Sequence, residues 1–78
     1  MKVRKKTMIN INVNEVFRAY KEDPYTIVFL HVGGHKSIVK FNNEEERQKG
    51  IDWFIQECHN QHLSMGVYDS YEQAIEFR

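Results

Sequence analysis

Seventy-eight residues, 41% of them hydrophobic and 28% charged, make one small domain (1–78) and exclude a disordered chain, which would bury too little apolar surface to order itself. Eleven basic and eleven acidic residues cancel, so no overall field draws the chain to nucleic acid or to an anionic membrane. A single cysteine excludes an internal disulfide and fits a reducing, cytoplasmic compartment.

The start is locally basic: Lys2, Arg4, Lys5 and Lys6 form an arm over residues 1–6. No apolar run of about 7 to 15 residues follows it, as a secretory leader would require, and no stretch approaches the length of a membrane span. Residues 7–11 alternate apolar and polar and read as a short edge strand. Asn12 and Glu15 then stand three positions apart, the spacing of a capping box. Val13, Val16, Phe17 and Tyr20 follow at helical spacing, which predicts a helix over 13–22 that Asp23-Pro24 ends.

Residues 25–32 (YTIVFLHV) are β-branched and aromatic, and Gly33-Gly34 supplies the positive φ angles of a tight hairpin turn before a return strand over 35–41. A two-residue turn pairs Val32 with His35, Phe29 with Ile38, Val28 with Val39 and Ile27 with Lys40. Val28, Leu30, Val32, Val39 and Phe41 then share a core face. The opposite face combines Tyr25, Ile27, Phe29, His31 and Ile38 with Lys36 and Lys40.

Asn43 precedes Glu46 by three positions, a second capping-box spacing, and the block Glu44-Glu45-Glu46 complements the positive end of a helix dipole. A helix over 43–61 follows. At roughly 100° per residue, Ile51, Phe54, Ile55, Cys58 and His62 fall on one stripe. Trp53 lies roughly 200° from Ile51 and needs a separate cover, from this chain or from a partner. Gly50 costs this helix about 1 kcal/mol relative to alanine, which a close backbone contact would justify. Residues 64–68 read as a third strand, and Asp69 with Glu72 caps a last helix over 70–77 whose inner face carries Tyr71, Ala74 and Ile75. The architecture is α+β: an antiparallel sheet built on the central hairpin, with helices on its Val28/Val39 face.

Catalytic and metal chemistry find little to work with. Cys58 and His62 are four apart on one helical stripe, a spacing that can present two ligands, but both lie on the apolar stripe and no third ligand has matching spacing. The two-residue register places His31 and His35 on opposite sheet faces. No nucleophile–base pair, phosphate loop or cofactor motif is present, so the expectation is a non-enzyme without a cofactor.

Two binding readings remain. Trp53, Tyr68 and Tyr71 are the candidate anchors of a protein interface, self-association included, because large aromatics dominate interface energetics. Alternatively, Tyr25, Phe29, Lys36 and Lys40 on one sheet face would bind nucleic acid by stacking and phosphate contacts. In size and lack of motifs the chain is similar to the small proteins with which phages and mobile elements bind and modulate a larger host protein, an inhibitor or modulator role. That is a similarity of type, which transfers no site residue.

Overall fold

A computed structural model describes residues 11–76; the basic arm and most of the segment expected as an edge strand over 7–11 lie outside the described residues. A 3-10 turn at Val13–Glu15 leads into a three-stranded antiparallel sheet of β1 (Val16–Asp23), β2 (Thr26–His31) and β3 (Lys36–Lys40), in the spatial order β1-β2-β3. A long helix, α1 (Glu44–Asn60), and a short one, α2 (Tyr71–Glu76), complete an α+β fold.

The expected helix over 13–22 is a strand. Asn12 does cap, its side chain accepting a hydrogen bond from the Asn14 amide, but the cap serves only the 3-10 turn. Ile27, Val28 and Phe29 explain why: all three are fully buried, and a strand buried on both faces sits in the middle of a sheet and needs a neighbour on each side. β1 is that second neighbour, pairing Ala19 with Phe29 and Tyr20 with Val28. Asp23-Pro24 is therefore a hairpin turn, not a helix stop. Proline presets its own φ there, and the Asp23 carboxylate accepts the Tyr25 amide at 2.8 Å.

The β2–β3 register differs by one residue from the two-residue turn. His31 donates its amide to the His35 carbonyl at 2.9 Å, so Val32, Gly33 and Gly34 form a three-residue loop in which both glycines have φ near +100° (106° and 100°). Phe29 faces Ser37, Val28 faces Ile38 and Ile27 faces Val39. A slip of one residue exchanges the faces of a strand. Ile27, Phe29 and Val39 therefore share one face, while Val28 lies on the other with Lys36, Ile38 and Lys40; Val32, expected in the core, is 65% exposed. The expected Val28/Val39 core face does not exist.

Each face has its own helix. The principal core sits between the Ile27 face and α1, where Ile51, Phe54 and Cys58 meet Ala19, Ile27, Phe29 and Val39, with the rings of Phe29 and Phe54 5.0 Å apart. A smaller core on the Val28 face joins Tyr20, Val28 and Ala74 of α2. Asn43 caps α1 as expected, its Oδ1 accepting the Glu46 amide at 2.8 Å. Gly50 is buried against the ring of Phe41, which turns the helix so that Trp53 is half-buried against the principal core and Ile55, expected inside, is exposed. At the other end His62 is not on the helix. It takes φ +62°, and Leu63 and His62 donate their amides to the Cys58 and His59 carbonyls at 2.8 and 3.0 Å, closing the helix as a Schellman motif.

The expected strand over 64–68 reduces to one parallel bridge, Tyr68 with Tyr20, because Asp69 and Ser70 turn the chain at once into α2. Ser70 rather than Asp69 caps that helix: its Oγ accepts the Gln73 amide at 3.2 Å. Of the expected inner residues only Ala74 is buried; Tyr71 and Ile75 are exposed.

Candidate functional site

The chemistry-bearing side chains gather on the Val28 side of the sheet. Strand alternation puts Arg18 and Tyr20 of β1 on that face, and α2 packs over them. Arg18 Nη1 donates to the Tyr68 hydroxyl at 3.1 Å and to the Ala74 carbonyl at 3.0 Å, and its guanidinium lies 5.5 Å from the centre of the Tyr68 ring. A cation against the last carbonyls of a short helix also complements its dipole. Arg18 and Tyr68 thus fasten α2 to the sheet.

Beside this clamp an open pocket of about 430 Å³ is lined by Tyr20, Lys21, Glu22, Lys36, Asp69, Ser70 and Tyr71. The Tyr20 and Tyr71 rings meet at 5.3 Å and 60°. Tyr20 is 4% exposed and Tyr71 52%, so a buried ring supports an exposed one. Burial first, then the charge of Glu22 and the Tyr71 phenol, pushes the Tyr20 hydroxyl above its ordinary value, which keeps it neutral. Lys21 Nζ meets Asp69 Oδ1 at 3.2 Å in a partly exposed pair, of a kind worth less than about 1 kcal/mol. Rings, mixed charges and a hydroxyl at an open pocket offer stacking, ionic and hydrogen-bonding contacts to a bound group.

The candidate interface residues separate. Tyr68 and Tyr71 belong to this face. Trp53 belongs to the other side, covered in part by the principal core. The candidate nucleic-acid face also divides: Phe29 is fully buried beneath α1, Tyr25 stands exposed in the β1–β2 turn, and Lys36 and Lys40 occupy the opposite sheet face, which the one-residue register shift decides. Lys36 joins Tyr71 instead. The Arg18–Tyr20 side of the site is hidden in the sequence because the helical spacing of Val13, Val16, Phe17 and Tyr20 competes with the strand alternation Arg18, Tyr20, Glu22, which is its signal.

The same shift brings His31 and His35 together, their rings stacked at 5.1 Å, where the two-residue register had separated them. His31 Nε2 and Ser37 Oγ share a hydrogen bond of 2.8 Å. That is nucleophile–base spacing, yet His31 is buried, 5% exposed, and its Nδ1 has no hydrogen-bond partner among the described residues, so no carboxylate among them orients the ring as such a pair requires. Cys58 is buried; burial first, and then the Glu57 charge, pushes its thiol up, away from the thiolate that reacts. Cys58 and His62 do not share a helical face, since His62 is past the end of α1. Among the described residues no group of three or more His, Cys, Asp or Glu side chains could hold a metal ion, and no helix is long and apolar enough to cross a membrane. In comparisons with known proteins, no family model, no curated protein and no solved structure matches the chain.

Proposed function

We propose that this chain is a small protein-binding domain whose partner docks on the Val28 side of the sheet with Tyr71 at the centre of the contact. The observation that supports it is the Tyr20–Tyr71 pair. Tyr71 is half exposed, yet one side of its ring rests on a buried ring 5.3 Å away, so a partner gains a large apolar contact while immobilising little that is not already held. Tyrosines so placed are typical interface hot spots. Ile38 and Ile75 are also exposed on this side, while Trp53 already has partial cover within the chain.

Affinity capture from the native cell with the intact chain as bait, followed by titration of the recovered partner, tests this reading. Tyr71→Ala should leave the circular dichroism spectrum and melting cooperativity intact and weaken partner binding by about 2 kcal/mol, the scale of an aromatic hot spot. Equal affinity for both forms would remove Tyr71 from the interface. Titration with labelled single-stranded oligonucleotides covers the other reading: binding that falls steeply with salt, as phosphate contacts require, and that is lost in Lys36→Glu, would replace a protein partner with nucleic acid.

A further inference from the structure

The two outer strands of the sheet end differently. Beside β1 the chain pairs once more: the Tyr68 amide donates to the Ala19 carbonyl and the Lys21 amide to the Tyr68 carbonyl, each at 2.9 Å. β3 is the other edge, and among the described residues nothing pairs with the side of it that faces away from β2. Its hydrogen bonding to β2 runs through alternate residues. His35 accepts from His31, and Phe41 donates to Tyr25, so in an antiparallel ladder His35, Ser37, Val39 and Phe41 bond inward. The backbone N–H and C=O groups of Lys36, Ile38 and Lys40 therefore point outward. Their side chains are exposed on the Val28 face, with Ile38 52% accessible between the two lysines.

Lysines on an edge strand discourage pairing by charge, and here the pattern decides against whom. If two copies joined β3 to β3 antiparallel with all five residues overlapping, Ile38 would face itself and each Lys36 would face a Lys40. Like charges directly opposite destabilise a strand pair. A strand with acidic side chains at those two positions and an apolar one between them meets the opposite condition: both lysines become cross-strand partners and Ile38 is covered. In the neighbouring pocket Asp69 pairs with Lys21, and among the described residues no ion pair involves Lys36.

We infer that β3 accepts, as a fourth antiparallel strand, an extended segment of another protein with the alternation acidic, any residue, apolar, any residue, acidic. Main-chain hydrogen bonds to Lys36, Ile38 and Lys40 supply affinity, and the two lysines supply selection, as in other cases of strand addition to a sheet edge. This rests on the reading of the Val28 side as a docking face, and it names the chemistry of the occupant.

Panning a random decapeptide library against the full chain, then measuring the enriched peptides by fluorescence anisotropy and amide hydrogen exchange, tests the inference. Enriched sequences should alternate acidic and apolar residues. Their affinity should fall at least about tenfold in the Lys36→Glu/Lys40→Glu double variant, which should still unfold cooperatively, its melting temperature lowered only by the loss of the exposed Lys40 charge near Asp23. On binding, exchange should slow at the amides of Lys36, Ile38 and Lys40, while Ser37 and Val39, already bonded to β2, change little. No enrichment would mean that the lysines only keep the edge closed, and the inference falls. It falls equally if concentration-dependent protection of the same three amides appears without peptide, since β3 would then pair with a second copy. Peptides that require Tyr71 but leave the three amides exchanging freely would discard the added strand and keep the docking face.

Discussion

Replacing Gly50 by alanine should destabilise this protein, although the same change in an open helix stabilises it. In a solvent-facing helical site alanine gains about 1 kcal/mol over glycine. At Gly50 an added Cβ would lie 2.6 Å from Cζ and 2.9 Å from Cε2 of Phe41, where carbon contacts settle at about 3.5–4.0 Å. The ring must then move by about 1 Å, away from the principal core on which it packs. Overpacking of this kind costs about 1–3 kcal/mol, so after the helical gain the net loss is about 0–2 kcal/mol. A double-mutant cycle isolates the contact. Phe41→Leu removes the ring positions that collide, and in that background Gly50→Ala should stabilise by about 0.5–1 kcal/mol, giving a coupling of about 0.5–3 kcal/mol. Urea unfolding followed by Trp53 fluorescence measures all four proteins, with equal denaturant slopes as the sign that only stability changed. If Gly50→Ala stabilises the parent by about 1 kcal/mol and the coupling is below about 0.5 kcal/mol, the packing of α1 on Phe41 has been misjudged.

Two further outcomes follow from local geometry. His62 holds φ +62° at the end of α1, a conformation glycine enters freely, so His62→Gly should stabilise by about 0.5–1 kcal/mol; a lower melting temperature would show that the imidazole contributes more than its backbone strain costs. The Asp23 carboxyl is held below its ordinary value first by the Tyr25 amide and then by the Thr26 hydroxyl, with Lys40 and Arg47 assisting against burial. Because its folded value is the lower one, its contribution is complete above the unfolded value of about 3.9 and is lost as pH falls through the folded value. Asp23→Asn keeps an acceptor for the Tyr25 amide while removing the titration, and should flatten the acid limb of melting temperature against pH; superimposable acid limbs would count against this assignment.

The parts legible in the sequence are those whose cause is local. Asn43 and Glu46 start α1 within one residue of the expected position because a cap needs only its own first turn. Gly33 and Gly34 mark the bend of the β2–β3 hairpin because few other residues take φ near +100°. The run Ile27-Val28-Phe29-Leu30 already carried the demand for a strand on each side, but not the identity of the second neighbour. Tyr68 and Tyr71 were legible as large aromatics near the chain end, but helical spacing turns Tyr71 inward, whereas it stands exposed on the buried ring of Tyr20.

What remained was decided by tertiary structure, in each case because two local solutions of similar free energy were separated by distant partners. Val13, Val16, Phe17 and Tyr20 suit a helix as well as a strand, and it is the unpaired edge of β2 that makes Val16–Asp23 a strand. Gly33-Gly34 permits a two- or a three-residue loop. Burial of Ile27, Phe29 and Val39 together beneath α1 selects the longer loop, since the shorter one would put Phe29 and Val39 on opposite faces. That single residue of register also divides Phe29 from Lys36 and Lys40 and brings His31 against His35. The composition of the sheet was readable along the chain; which of its faces carries the principal core and which carries the smaller one was a property of the packed whole.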